Sequence, residues 1–365
     1  MKKVGVGVIG CGVISGAYLK AAQGFPILDI RALADAVPTA AEARAKEFGL
    51  KAVSVNALLA DPTIEIVLNL TVPKAHVEVG LKAIAAGKHV YGEKPLGVRF
   101  KDGKKLVDAA SKKGLRVGSA PDTFLGGSHQ TCRKLIDQGK IGEPVGGTAY
   151  FMCPGHERWH PAPDFYYQQG GGPILDMAPY YLTDLVNLLG PVARVAGMTS
   201  MLRKTRTITS KPRAGEKILV EVPTHAAATL QFVSGAIVQL SMSFDVPTHR
   251  HLPIEIYGTK GTLIVPDPNW FGGQIEFAAD KDKWENVKTV LPYDDANYRS
   301  IGLADMAHAI RANRPHRASG ELALHVLEVM EAIGASSEKG RAIDIATRPK
   351  RPAPISESLV RRKLS

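Results

Sequence analysis

The sequence predicts an α/β chain in two parts. A doubly wound parallel sheet comes first, followed by an α+β region built on a large, mostly antiparallel sheet. Three observations predict this. At 365 residues the chain exceeds what one ordinary core supports, so two domains are expected. Up to about residue 121, short apolar runs alternate with helical patterns, which is the mark of βαβ units. Beyond that point apolar runs follow one another through turns such as "VSGA" and "GTKG", which favours antiparallel or mixed pairing. The expected division is 1–121 and 122–365, with the last helices able to pack back on the first part.

The elements can be justified in order. Residues 4–9 form a continuous apolar run, as expected of a strand covered on both faces. A helix is predicted over 15–22, a strand over 28–34, and a helix over 39–48 that Gly49 closes. A buried strand over 64–70 and a helix over 75–86 ending at Gly87 follow. Strands over 89–92 and 116–119 flank a helix at 101–113. In the second part a helix over 128–138 precedes strands at 147–152, 192–199, 226–232, 236–243, 252–258 and 261–265. Helices over 301–311 and 321–337 come last.

Composition narrows the class. With 45% hydrophobic and 22% charged residues the chain reads as an ordinary soluble protein. Cys11, Cys132 and Cys153 fit neither a disulfide framework nor a metal spacing, so no metal is expected and a reducing cytoplasm suits the chain. Lys2 and Lys3 before an apolar run imitate a secretory signal, but glycines interrupt that run. No stretch is long and apolar enough for a membrane span. The net charge of +11 gathers at 101–105, 112–116, 203–213 and in the tail from 348. No aromatic-interleaved or base-reading motif accompanies it, so solvated faces or an anionic small ligand are expected and nucleic acid is not.

"GVIGCGVISG" sets Gly10, Gly12 and Ser15 in a G-x-G-x-x-S pattern between the first strand and the first helix. Gly10 makes the tight turn, and Gly12 lets the backbone approach a pyrophosphate. Val13 and Ile14 open the helix whose N-terminus would hold it. Asp35, at the end of the second strand, is placed to bond ribose hydroxyls. Because Ala36 and Val37 follow it in place of an arginine, NAD is favoured over NADP.

Further candidates lie at strand ends and in one aromatic loop. "NLTVPKAH" supplies Thr71, Pro73 and His76, the last better suited to capping or satisfying its own helix than to catalysis. "YGEKPLG" sets Glu93 and Lys94 where doubly wound folds bind ligands. "CPGHERWHPAPDFYYQQ" carries His156, Trp159, His160 and Tyr166, a mixture suited to stacking on a sugar ring and reading its hydroxyls. His156 and His160 match a helical metal pair in spacing, but Pro161 and Pro163 argue against a helix there. In "GGGPILDMAPYYL", Asp176 and Tyr180 would share a helix face, and Asp176 before Pro179 is also a natural helix N-cap.

Taken in order, these motifs with "GKIGEP" and the final "LALHVLEVMEAI" resemble the Gfo/Idh/MocA oxidoreductases over nearly the whole chain. The resemblance implies an N-terminal Rossmann domain that binds a nicotinamide cofactor, a second domain that covers a sugar or polyol substrate, and a homodimer or homotetramer. It implies that Lys94 is the EKP lysine at the reacting hydroxyl and Asp176 the aspartate of a D-x-x-x-H motif. Tyr180 stands where most members carry histidine, and some members are similar to this chain in having a tyrosine at that place.

The expected activity is NAD-dependent oxidation of a secondary hydroxyl on a sugar, glycoside or cyclitol. A cation near the oxygen and a proton acceptor tuned toward neutrality both lower that barrier. Lys94 can be the cation. Tyr180 can accept the proton if the ammonium lowers its pKa, with His156 or His160 as alternatives. Two other activities fit the same residues: net glycoside hydrolysis through transient oxidation, and non-catalytic dinucleotide sensing.

Overall fold

The computed structural model describes residues 2–281 and 283–355, and the end of the basic tail lies outside them. Strands β1 (Val4–Ile9), β2 (Leu28–Ala34), β3 (Lys51–Ala52), β4 (Ile66–Asn69), β5 (His89–Gly92) and β6 (Val117–Ser119) pair in parallel, in the order β3-β2-β1-β4-β5-β6. The order reverses direction beside β1, the switch point where doubly wound sheets bind ligands. Helices α1 (Val13–Ala22), α2 (Pro38–Phe48), α3 (Val55–Ala60), α4 (His76–Ala85) and α5 (Phe100–Lys112) cover its faces. Every residue of β1 and β4 is buried, which is why both read as unbroken apolar runs.

The second region opens with α6 (Gly127–Asp137) and β7 (Pro144–Met152). Then come α7 (Gly172–Asp176), α8 (Ala178–Leu189) and β8 (Val192–Ser200). A two-stranded ribbon, β9 (Thr205–Thr207) with β10 (Lys217–Leu219), precedes β11 (His225–Phe232), β12 (Ile237–Ser243), β13 (Ile254–Gly258), β14 (Gly261–Val265), β15 (Ile275–Ala278) and β16 (Glu285–Val287). After α9 (Ile301–Ala312) and α10 (Gly320–Lys339), β17 (Ile343–Asp344) adds a last edge. The nine-stranded order is β16-β15-β14-β13-β7-β12-β11-β8-β17, and only β7 and β12 run parallel. β11 alternates buried and exposed positions along its length, so one face of this sheet lies on the core and the other faces outward.

Helix α10 packs on β8, α5 and α8 and so ties the two sheets together. Among the basic segments, 203–213 is partly structural. Arg206 is buried against Glu157 at 3.0 Å and Asp245 at 3.3 Å, and Arg213 pairs with Asp164 and Glu216.

One sequence expectation is overturned here. Asp176 caps no helix: it ends α7, and Met177 is the N-cap of α8 without any side-chain cap bond. The chain breaks between the two helices, so Asp176 and Tyr180 do not sit on one continuous helix. Freed from capping, the carboxylate turns to other partners.

Candidate active site

The glycine turn meets the requirements of a dinucleotide. Gly10 has φ of +103°, and a Cβ there would come within 2.6 Å of the Leu70–Thr71 backbone. Gly12 differs, because nothing lies within 4 Å of where its Cβ would stand. The missing side chain therefore serves no packing within the chain and leaves the N-terminus of α1 open to a ligand. That end has no side-chain cap, and Val13 beside it is 86% exposed. Ile14 is half-buried on the same turn.

Asp35 sits at the end of β2 and accepts from the Cys11 N–H at 2.7 Å and the Val37 N–H at 2.8 Å, which fixes its carboxylate beside the turn. A further cation is close by. Arg44 on α2 donates to the Gly12 carbonyl at 3.2 Å and pairs with Glu47 at 2.6 Å, a neighbour that no local motif announces.

The strand ends behind the turn are cross-braced. Thr71 donates from both N–H and hydroxyl to Asn69 Oδ1, and Pro73 begins a short 3₁₀ turn. His76 is buried, with Nδ1 2.7 Å from the Pro95 carbonyl and Nε2 2.9 Å from the Thr71 carbonyl. Its ring is thus spent on pinning two loops together, and only its backbone neighbours are left to meet a cofactor. Glu93 is similarly engaged. It accepts from the Tyr18 hydroxyl at 2.6 Å and from the Lys94 N–H at 3.0 Å.

Lys94 leaves β5 and crosses to the second region. Its Nζ donates to the Asp176 carbonyl at 2.6 Å and to Oδ1 at 2.8 Å. Asp176 Oδ2 lies 3.1 Å from His156 Nε2, and His156 Nδ1 accepts the Trp159 indole N–H at 3.1 Å. Burial raises the Asp176 carboxyl, but the Lys94 ammonium and the His156 bond outweigh it and hold the group down to about 2. For Lys94 burial works against the ammonium, yet Asp176 prevails and lifts it above the ordinary lysine range. Both groups stay charged at neutral pH.

Tyr180 behaves differently from expectation. Lys94 Nζ lies over its ring, 4.9 Å from the centroid, rather than at its hydroxyl. Burial pushes the phenol up, and the opposing ammonium does not bring it back. The nearby Arg299 guanidinium, which donates to Asn269 Oδ1 at 3.0 Å, offsets part of that rise. Arg299 was invisible to sequence reasoning. It is delivered by Ser300, whose φ of +122° is held by bonds from the Ser300 and Gly302 N–H groups to Asp122.

The loop before the glycines forms an aromatic wall. Tyr166 lies 4.4 Å from His156, 5.4 Å from His160 and 4.0 Å from Phe165, by ring centroids. Trp159 packs 5.3 Å from His160 and remains 60% exposed. His160 makes no bond to Asp176. Its Nδ1 accepts the Ala162 N–H at 3.1 Å. No group of three or more metal-ligating side chains is found among the described residues.

Two family models match this chain. One, the oxidoreductase family with an NAD-binding Rossmann fold, spans residues 4–120. The other, the GFO/IDH/MocA C-terminal domain, spans 129–264. The chain belongs to the Gfo/Idh/MocA oxidoreductase family. Among curated Gfo/Idh/MocA relatives, 1,5-anhydro-D-fructose reductase of Ensifer adhaerens is 27% identical, over 84% of this chain and 88% of its own. Levoglucosan dehydrogenase of Pseudarthrobacter phenanthrenivorans is 24% identical, over 80% of each. A solved levoglucosan dehydrogenase in complex with NADH and L-sorbose superposes with a TM-score of 0.83 at 21% identity. It covers 95% of this chain and 100% of that one, a likeness of fold. The family assignment makes the parallel sheet an NAD(P)-binding Rossmann domain.

Proposed function

We propose that this oxidoreductase removes a hydride from a secondary hydroxyl of a sugar, glycoside or cyclitol, with NAD as the acceptor. The observation that carries the proposal is the bridge from Lys94 through Asp176 to His156, which sets a fixed cation beside an imidazole at the mouth of the dinucleotide site. Oxidised nicotinamide, when bound, takes the hydride. The chain's own residues do the rest. Lys94 keeps its proton and stabilises the oxygen as negative charge develops on it. Asp176 fixes the direction of the ammonium.

The proton acceptor in this proposal is His156. Tyr180 is pushed up by burial, Asp176 is held at about 2 and Lys94 is lifted, whereas imidazole is the side-chain class that exchanges a proton near neutrality. Tyr180 then serves as a hydroxyl beside Arg299. Trp159, His160, Phe165 and Tyr166 supply the apolar wall for a sugar ring. Asp35, with no cation directly after it, supports NAD over NADP. We also propose a cytoplasmic homodimer or homotetramer, to be checked by light scattering.

The proposal is tested by measuring NADH formation across monosaccharides, anhydrosugars, glycosides and inositols. Oxidation of at least one polyol that stops in Lys94→Met supports it. NAD binding without turnover of any polyol sinks it.

A further inference from the structure

His156 is satisfied on both sides in a way that conflicts with a base's task. The indole N–H of Trp159 is a donor only, so at 3.1 Å it requires a lone pair on Nδ1. The single proton of the neutral ring must then sit on Nε2, facing Asp176 Oδ2 at 3.1 Å. A second proton would have to land on Nδ1, directly against the indole N–H. Donor would face donor. With Trp159 in this position His156 cannot become imidazolium, and so cannot take a proton from any substrate.

The other groups around the ring do not lift this block. Asp176, with Lys94 behind it, faces Nε2 and favours a proton there, where one already sits. Tyr166 at 4.4 Å and Phe244 at 4.5 Å meet the ring in tilted or edge contacts, and the Tyr167 hydroxyl takes the His156 backbone N–H. Beyond Tyr167, Glu157 and Arg206 neutralise each other. His160 packs on Trp159 and Tyr166, and its charge and that of His156 would oppose each other. Lys94 and His160 oppose a charge on His156 only through space, whereas Trp159 sets a donor directly against Nδ1, and it is the most exposed side chain of the cluster, 60% where His156 is 9%.

We propose that Trp159 is a substrate-operated latch on the catalytic base: its indole N–H masks His156 until the apolar face of a sugar or cyclitol ring draws the indole away. The inference rests on His156 being the proton acceptor. Once the indole has left, the Nδ1 lone pair is free to meet a substrate hydroxyl, while Nε2 keeps its proton on Asp176. The O–H bond then breaks with its proton passing to Nδ1. The oxygen's electron pair closes the carbonyl as the carbinol hydride leaves to the oxidised nicotinamide. A small alcohol too short to stack on the indole leaves the latch shut. The device thus selects for ring substrates and keeps the base masked between turnovers.

Trp159→Phe keeps the ring and removes the N–H. The acidic limb of kcat/KM, which reports the free enzyme, should move to higher pH by roughly half a unit to one unit, because protonation is no longer opposed. The acidic limb of kcat, which reports the substrate complex, should coincide in the two proteins, since there the indole has already left. Equal shifts in both limbs would mean the indole stays on the ring, and no shift in either would mean it never masks it. Either result overturns the latch.

His156→Gln separates the two claims. If the wild-type acidic limb persists in that variant, the base assignment falls and takes the latch with it. If the limb vanishes there while Trp159→Phe moves nothing, only the latch falls. A third measurement needs no variant. With NADH and the best polyol among levoglucosan, D-xylose and myo-inositol, the nitrogen-15 signal of the indole bonded to imidazole should move toward that of a free indole. A signal that stays in place contradicts the proposal, and turnover of none of the three removes its premise.

Discussion

Lys94 and Asp176 meet across the junction of the two sheets through two bonds, 2.6 Å to the aspartate's carbonyl and 2.8 Å to its carboxylate. Such a pair is costly to desolvate and costlier to break, because either partner alone is a buried unpaired charge. Lys94→Met should therefore lower stability by roughly 3–5 kcal/mol as well as activity. It should reduce kcat by about two to four powers of ten while NAD affinity, measured by calorimetry, stays nearly unchanged. Retention of more than half of the wild-type kcat would make Lys94 a structural residue.

Asp176→Asn keeps the shape but gives up the charge that holds the ammonium. We expect a fall in kcat of about a hundredfold, with a smaller change in KM, because the loss is of transition-state stabilisation rather than ring contact. A rise in KM with kcat intact would assign Asp176 to substrate binding alone.

Tyr180→Phe separates the two candidate acceptors. Its phenol is raised by burial, so its loss should cost less than about tenfold in kcat and leave the acidic limb of the pH profile in place. A loss beyond a hundredfold would return the base role to the phenol.

The sequence carried the first sheet almost entirely, because both faces of β1 and β4 are covered and the apolar runs that result are unmistakable. The short elements β3 and α3 escaped notice, since two exposed residues and one six-residue helix leave no periodicity to read. Gly10, Gly12 and Asp35 stood out as a motif because turn chemistry is local, whereas the expectation for Lys94 came from the family resemblance. Arg299 did not stand out. It reaches Tyr180 only through a turn at Ser300 that Asp122 holds from 178 residues away. The bond from Asp176 to His156 was likewise hidden, because it joins a helix end to a loop twenty residues earlier and no local pattern links the two.

Asp122 gives a prediction about pH. Burial raises its carboxyl to about 6, against the lowering effect of the Gly302 and Ser300 N–H groups, while the unfolded chain titrates near 4. Between these values the native state holds the extra proton, so stability falls as pH rises through that window and the contribution is lost above it. The expected loss is on the order of 3 kcal/mol. Asp122→Asn should flatten this slope in urea unfolding between pH 4 and about 6.5. An unchanged slope would mean that another group is responsible.

Asp35→Ser should narrow the preference between cofactors by removing the carboxylate that repels a 2′-phosphate. Calorimetry with NAD and NADP decides it. Equal or tighter NADP binding by the wild-type protein would contradict the proposed preference at the outset.

The central claim is that the Lys94–Asp176–His156 bridge oxidises a ring hydroxyl at the expense of NAD, and the most direct test is spectrophotometric. NADH formation is followed with wild type and Lys94→Met on one panel of anhydrosugars, monosaccharides, glycosides and inositols. We predict that at least one ring polyol yields stoichiometric NADH and ketone with the wild type and almost none with the variant. Tight NAD binding by both proteins, with no NADH from any polyol, would contradict it.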